Sequence, residues 1–475
     1  MRLTVIGTGY LGAVHAACMA DIGHDVLGVD TDTTKIAALA QGQAPFFEPG
    51  LPEVLTRNNR GGRLRFTTSL QEAADFADVH FVCVGTPQRA DSLAADLTHV
   101  EAVVDALAGL LTRDSLLVGK STVPVGTTRA LARRLAVRLR PGVKAEIAWN
   151  PEFLREGFAV QDTFRPDRLV VGVTSPEADR VLREVYAPIL AAGTAYVSTD
   201  PATAELVKVA ANSFLATKIS FINAMAEVCD ATGADVVTLA DAMGHDARIG
   251  RRFLSAGLGF GGGCLPKDIR AFLARAEELK VGEAVSFLRQ IDEINHRQRR
   301  RTVDAACQLL GGTFDGQRVA VLGATFKPDS DDVRDSPALA VAAEIADRGA
   351  DVVVHDPKGL DNARAVLPGP AYCADATEAC RDADVVLHLT EWSHYRDLDP
   401  AALADVVRAP RILDARNALD PALWRAAGWH LRALGRPASV PQPGTSDARR
   451  VTIPQRGAPE SAAPAAGSPL SRAPK

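Results

Sequence analysis

The sequence predicts an α/β protein in which two parallel-sheet domains are joined by one long helix, and three observations carry this. Short β-branched runs alternate with helical patterns from Met1 to about Val197, a proline-free helical pattern of about 30 residues follows, and strand–helix alternation returns from Gly316. Strands separated by helices imply parallel βαβ units and doubly wound sheets.

In the first region the expected strands are Leu3–Ile6, Val26–Val29, Val79–Val84, Ser115–Val118, Ile147–Trp149 and Leu169–Val171. From Pro201 the period changes: ATAELVKVAANSFLATKISFINAMAEVCDATG places apolar residues at helical spacing and closes on Gly233. One helix of that length spans a domain at 1.5 Å per residue, so a connector or subunit-packing role is expected. The later strands are Arg318–Leu322, Asp351–Val354, Val385–Leu389 and Ile412–Leu413, a second and smaller domain with a similar layout. From Arg436 onward the composition shifts to Pro, Ala, Ser and Gly with no aromatic residue. Such a segment cannot bury enough apolar surface to offset its ordering entropy, and disorder is expected there.

Composition narrows the function classes. Apolar residues make up 47% and charged residues 23%, a balance with ample core, and the net charge of −5 gives no electrostatic footing for DNA or RNA. No apolar run approaches the length needed to span a bilayer, and the N-terminus reads as a strand rather than a signal peptide. The seven cysteines are scattered, without a CxxC pair or His/Cys cluster, so neither a disulfide framework nor a metal site is expected. The expectation is a cytoplasmic protein.

Gly7-Thr8-Gly9-Tyr10-Leu11-Gly12 follows the first strand and opens a helix, and Asp30 closes the second strand. This is the layout of a Rossmann-type dinucleotide site. Glycines let backbone approach a pyrophosphate at the helix N-terminus, and the acid receives the ribose hydroxyls. The negative charge of Asp30 favours NAD over NADP. Lys35 and the Gly85-Thr86-Pro87 turn fall where such folds hold their ligand.

Four segments carry reactive groups: Lys120-Ser121-Thr122-Val123-Pro124-Val125-Gly126; Asn150-Pro151-Glu152-Phe153-Leu154-Arg155-Glu156-Gly157; Lys208 with Asn212, one helical turn apart and so on one face; and Gly259-Phe260-Gly261-Gly262-Gly263-Cys264-Leu265-Pro266-Lys267-Asp268. Each has a bland reading, as a core thiol, solvated helix residues or a plain turn. Together they suggest a dinucleotide domain with an activated thiol, hence oxidation past an aldehyde through a thioester.

GTGYLG, KSTVPVGTT, NPEFLREG, AELVKVAANSFLATKISFIN, GFGGGCLPKD and FKPDSDDVRDSP, in this order, closely resemble the UDP-glucose 6-dehydrogenases of the UDP-glucose/GDP-mannose dehydrogenase family, from residue 1 to about 430. The resemblance implies an NAD-binding domain at 1–200, a central dimerisation and active-site region at 201–300, a UDP-sugar-binding domain at 315–435 and a tail at 436–475. It implies catalysis by Cys264, Lys208, Asn212, Asp268, Glu152 and Thr122. NAD would be held by Gly7, Gly9, Leu11, Gly12, Asp30, Lys35, Thr86, Thr122, Glu156, Lys267 and Arg334. The sugar nucleotide would meet Glu152, Phe153, Leu154, Arg155, Lys208 and Asn212, then Phe253, Leu254, Ser255, Ala256 and Gly257, and finally Gly261, Lys327 and Arg416. Arg248 would reach it from a partner subunit of a homodimer or larger homo-oligomer. No metal is implied.

Gly263 departs from a common Ser, Val209 from a common Tyr and Ala224 from a common Glu, departures expected to alter packing or subunit contacts more than chemistry. Three readings compete with UDP-glucose oxidation: a 6-dehydrogenase of GDP-mannose or UDP-N-acetylmannosamine, an alcohol dehydrogenase stopping at the aldehyde, and a catalytically silent Rossmann-type binding protein.

Overall fold

The computed structural model describes residues 1–437. The first domain is an eight-stranded sheet of β1 (Arg2–Ile6), β2 (Asp25–Val29), β3 (Leu64–Thr67), β4 (Val79–Val82), β5 (Ser115–Gly119), β6 (Ala145–Trp149), β7 (Arg168–Gly172) and β8 (Ala195–Thr199), in the order β3-β2-β1-β4-β5-β6-β7-β8. All neighbours are parallel except β6 and β7, which meet antiparallel at Trp149 and Gly172. The expectation of parallel pairing throughout is corrected at that one joint, where the chain leaves β6 through the Asn150–Gly157 loop.

Two of these strands carry no sequence signal. β3 is a short strand at the sheet margin in which Arg65 interrupts the apolar run, and β8 is an edge strand left largely exposed. Behind β1 the helix Tyr10–Asp21 is buried from Gly12 to Ala20, which its small residues permit.

The long helix runs Pro201–Thr232. Asp200 caps its start by accepting from the Thr203 N–H at 3.0 Å, and Gly233 ends it at φ 78°, a left-handed position suited to glycine. Against it pack the helices Leu265–Glu278 and Phe287–Leu309.

The second sheet has six parallel strands: β9 (Arg318–Leu322), β10 (Asp351–His355), β11 (Ala371–Tyr372), β12 (Val385–His388), β13 (Arg411–Asp414) and β14 (His430–Ala433), ordered β11-β10-β9-β12-β13-β14. β11 is too short and β14 too polar to show in the sequence. The first six strands of the other sheet follow the same order, and the likeness extends to the first turn. Gly7 N–H donates to Val29 O at 2.8 Å, and Gly323 N–H to His355 O at 2.8 Å. Thr8 N–H donates to Asp30 Oδ2 at 2.9 Å, and Ala324 N–H to Asp356 Oδ2 at 2.8 Å. Asp356 is buried, however, and its oxygens are also met by Thr325, Lys358 and Gly359, so this turn is satisfied by the protein itself.

The expected disordered tail begins at residue 436; from 438 onward it lies outside the described residues.

Candidate active site

The nucleotide edge lies at the C-terminal ends of β1 and β2. A Cβ on Gly12 would strike the Gly7 carbonyl and one on Gly7 would meet the Val84 backbone, whereas at Gly9 nothing stands within 4 Å. Two glycines are thus required by close packing, and the third keeps the helix N-terminus open to a phosphate, a fit to a dinucleotide. Leu11, half-buried in the first turn of that helix, packs against the sheet core. Asp30 accepts from Thr8 and, at 3.0 Å, from Lys35 Nζ. Burial opposes its ionisation, yet Lys35 and the N–H groups of Asp32 and Thr8 prevail and lower its pKa. Thr86 Oγ1 donates to Thr122 O at 2.8 Å, fastening the β4 turn to the β5 turn.

Cys264 caps the helix Leu265–Glu278 and is reached by solvent. Enough protein surrounds it that desolvation, with the Asp268 charge, pushes the thiol up, while Lys208 and Lys267 act the other way. Asp268 is only 1% exposed. It accepts from Asn212 Nδ2 at 2.7 Å and from Lys267 Nζ at 2.6 Å, bringing two helices to one point. Thr122, Lys267 and Asp268 line a common crevice with Val209.

The loop before the thiol is fixed by contacts that exclude side chains. A Cβ on Gly261 would enter the Asp335 carbonyl, and one on Gly263 would enter the Arg334 guanidinium. Asn295, fully buried, clamps Phe260 by accepting its N–H at 2.7 Å and donating to its carbonyl at 2.9 Å.

The Asn150–Gly157 loop holds two carboxylates in different states. Glu152 Oε1 accepts from the N–H groups of Phe153 and Leu154 at 2.7 and 3.0 Å, and Oε2 pairs with Lys120 at 2.9 Å. Burial opposes the charge, but Lys120 and the two N–H groups lower the pKa. Glu156 meets Ser330 and Arg334, both at 3.2 Å, and Lys327 Nζ donates to its carbonyl at 2.6 Å. Burial and the Asp332 charge push its carboxyl up to about 7. Lys208 and Arg168 both lie over the Phe153 ring, at 5.4 and 3.9 Å from its centroid.

The remaining candidates divide. Leu254 and Ala256 are buried against the long helix, Gly257 N–H donates to Asn223 at 2.8 Å, Ser255 is exposed, and Phe253 is held at φ 66°, unusual for a bulky residue. Arg416 donates to the carbonyls of Leu389, Gly259 and Phe326 and pairs with Glu391 at 3.1 Å, bracing the second sheet against the glycine loop. Arg155 pairs with Asp162 at 2.7 Å, and Arg248, 89% exposed, pairs with Asp246 at 2.6 Å.

Sequence reading did not single out Glu48. It is buried, accepts from Tyr10, and takes the N–H groups of Gly157 and Ala159 at 2.6 and 2.7 Å, linking the glycine fingerprint to the carboxylate loop. Neither Lys120 nor Asn150 had been given a role, although both stand at strand ends where such folds place ligand groups.

A dinucleotide edge, an accessible thiol, Lys208 and Asn212 on one face of the long helix and a second Rossmann-like sheet fit the class of nicotinamide-dependent oxidoreductases. The family comparisons agree domain by domain. Models of the UDP-glucose/GDP-mannose dehydrogenase family match residues 1–190 (NAD binding domain), 202–297 (central domain) and 320–421 (UDP binding domain). The chain belongs to this family. A UDP-glucose 6-dehydrogenase of Rhizobium meliloti is 41% identical over 92% of this chain and 100% of its own length. The YwqF UDP-glucose 6-dehydrogenase of Bacillus subtilis is 40% identical over 93% and 99%. Among solved structures, a UDP-glucose dehydrogenase from Pyrobaculum islandicum matches with TM-score 0.83 and 39% identity, covering 90% of this chain and 98% of that one. A UDP-D-ManNAc dehydrogenase from Pyrococcus horikoshii matches with TM-score 0.81 and 25% identity, covering 92% and 100%. No helix among the described residues is long and apolar enough to cross a membrane, and no His/Cys/Asp/Glu group there could hold a metal ion.

Proposed function

We propose that this chain is an NAD-dependent UDP-glucose 6-dehydrogenase that oxidises the C6 alcohol to a carboxylate through a thioester on Cys264. The observation that carries the reading is the meeting of Cys264, Asp268 and Asn212 where the long helix touches the thiol helix. A dehydrogenase that stopped at the aldehyde would have no use for the thiol or its glycine loop. The near-40% identity to UDP-glucose 6-dehydrogenases over their whole length favours UDP-glucose over UDP-D-ManNAc.

NAD, when bound, would supply the hydride acceptor for both oxidations, and Gly7, Gly9, Leu11, Gly12, Asp30, Lys35, Thr86, Thr122, Glu156, Lys267 and Arg334 would hold it. Lys208 and Asn212 stabilise negative charge on the C6 oxygen whenever it forms, as preorganised donors do. The first oxidation removes the C6 hydroxyl proton and one C6 hydride, leaving the aldehyde. The Cys264 sulfur bonds to the aldehyde carbon while the thiol proton ends on the aldehyde oxygen. Loss of that hydroxyl proton together with the second C6 hydride leaves a thioester. Water oriented by Glu152, Thr122 and Asp268 adds to the carbonyl, the C–S bond breaks, and thiol and carboxylic acid are released. Phe153, Leu154, the Phe253–Gly257 segment, Gly261 and Lys327 hold the sugar nucleotide.

The second copy expected in the assembly docks on the long helix, where Phe214, Phe221 and Val228 stand exposed at seven-residue intervals. Arg248 of that copy would complete the sugar site. Light scattering should report a dimer or larger, and Phe221→Asp should dissociate it; a monomeric native protein would contradict this.

The function is tested by assaying NADH production on UDP-glucose, GDP-mannose and UDP-N-acetylmannosamine side by side. Clear preference for UDP-glucose is expected, and preference for either other sugar nucleotide would overturn the assignment.

A further inference from the structure

Lys120 directly follows β5 and is only 2% exposed, so its ammonium sits in the protein interior beneath the reaction centre. A buried ammonium is costly unless its donors are met by an anion and good acceptors. Here Nζ reaches Glu152 Oε2 at 2.9 Å and donates to Asn150 Oδ1 at 3.0 Å. Asn150 is itself fixed: Tyr186 Oη donates to the same Oδ1 at 2.6 Å, and Asn150 Nδ2 donates to Val170 O at 2.8 Å. The chain Tyr186–Asn150–Lys120–Glu152 thus starts in the core and ends on a carboxylate that keeps 20% of its side-chain surface exposed. With two N–H groups on Oε1, Glu152 has little freedom left in position.

We propose that Lys120 is a positioning residue for the hydrolytic step, its buried ammonium holding Glu152 in place as a carboxylate facing the thioester water. The inference rests on the role given to Glu152 above. Other titratable groups surround the pair. Cys83 just past β4, His15, Tyr186 and Cys18 sense the charges of the pair, and Lys208 and Arg168 lie over the adjoining Phe153 ring. Lys120 alone bonds the carboxylate directly from a buried cation, so its loss should be felt by Glu152 first.

The sign follows. An ammonium in contact with a carboxylate holds it ionised to lower pH, typically by about one to three pH units. Lys120→Met should move the acid limb of turnover upward by that amount, with rates recovering at alkaline pH, whereas Lys120→Arg should keep the limb near its native position. A pH-independent loss in Lys120→Met, or an unmoved limb, would overturn the proposal. If Lys120→Met does not fold, the Glu152 carboxylate band can be followed by infrared difference spectroscopy of native protein minus Glu152→Gln. Ionisation well below the usual glutamate range is expected there, and protonation near neutrality would equally overturn it. Glu152→Gln separates the two layers: if that variant hydrolyses the thioester at the native rate, the role of Glu152 fails. If it is slow and Lys120→Met still keeps the native limb, only the inference about Lys120 fails.

Discussion

Asn212 on the long helix donates to Asp268 on the thiol helix across 2.7 Å, inside a site where Asp268 is 1% exposed. This bond, with Lys267 on the other oxygen, sets where Asn212 points. Asn212→Ala leaves a buried carboxylate short of one donor, a loss of about 1–3 kcal/mol for a hydrogen bond to a charged group. The melting temperature should fall and, if Asn212 is the oxyanion donor proposed above, turnover should fall further. Unchanged kinetics in a destabilised protein would make the bond structural only.

At the cofactor edge, Asp30 and Lys35 are paired at 3.0 Å. Asp30→Ala removes the proposed ribose acceptor and frees Lys35 to meet a 2′-phosphate. NAD use should weaken by about 1–3 kcal/mol, and the NADP/NAD ratio of kcat/KM should rise. Equal kinetics with both cofactors before and after the change would displace Asp30 from the ribose.

The glycine loop offers a contrast between neighbours. Gly261→Ala drives a methyl into the Asp335 carbonyl, which is backbone and cannot swing away, so activity should collapse. Gly263→Ala meets only the Arg334 guanidinium, the far end of an exposed side chain that can move. That variant should fold normally, with a raised KM for NAD if Arg334 serves the cofactor. Equal damage at both positions would contradict this account of the loop.

Glu156 carries a pH signature. Its carboxyl is raised from the reference value of 4.5 to about 7 by burial and Asp332, so the folded state holds a proton that the unfolded state releases. The resulting stability is complete below about 4.5 and disappears as pH rises through about 7. Glu156→Gln should abolish that part of the slope in denaturant titrations; an unaltered slope would place the proton elsewhere.

Much of this was legible in the chain. The glycine fingerprint, the long helix and most central strands are local patterns, since a buried parallel strand needs a continuous apolar run. β3, β8, β11 and β14 escaped because marginal, short or exposed strands need no such run. Cys264, Asn212 and Asp268 could be nominated from motifs, but their meeting point depends on how two helices pack. Glu48 and Lys120 were hidden for a different reason: each acts through partners far away in sequence, Gly157 for one and Glu152 for the other. Asp356 was invisible as a counterpart of Asp30, because the turn before it keeps only one of the three glycines.

The central claim is that Cys264 carries the substrate through a second oxidation, and counting NADH against UDP-glucose consumed tests it most directly. The native protein should form two NADH per sugar nucleotide. Cys264→Ser should lose steady-state acid formation by orders of magnitude while still binding both NAD and UDP-glucose, since a serine hydroxyl is a far weaker nucleophile at neutral pH. One NADH per sugar from the native protein, or native turnover from Cys264→Ser, would contradict the thioester mechanism.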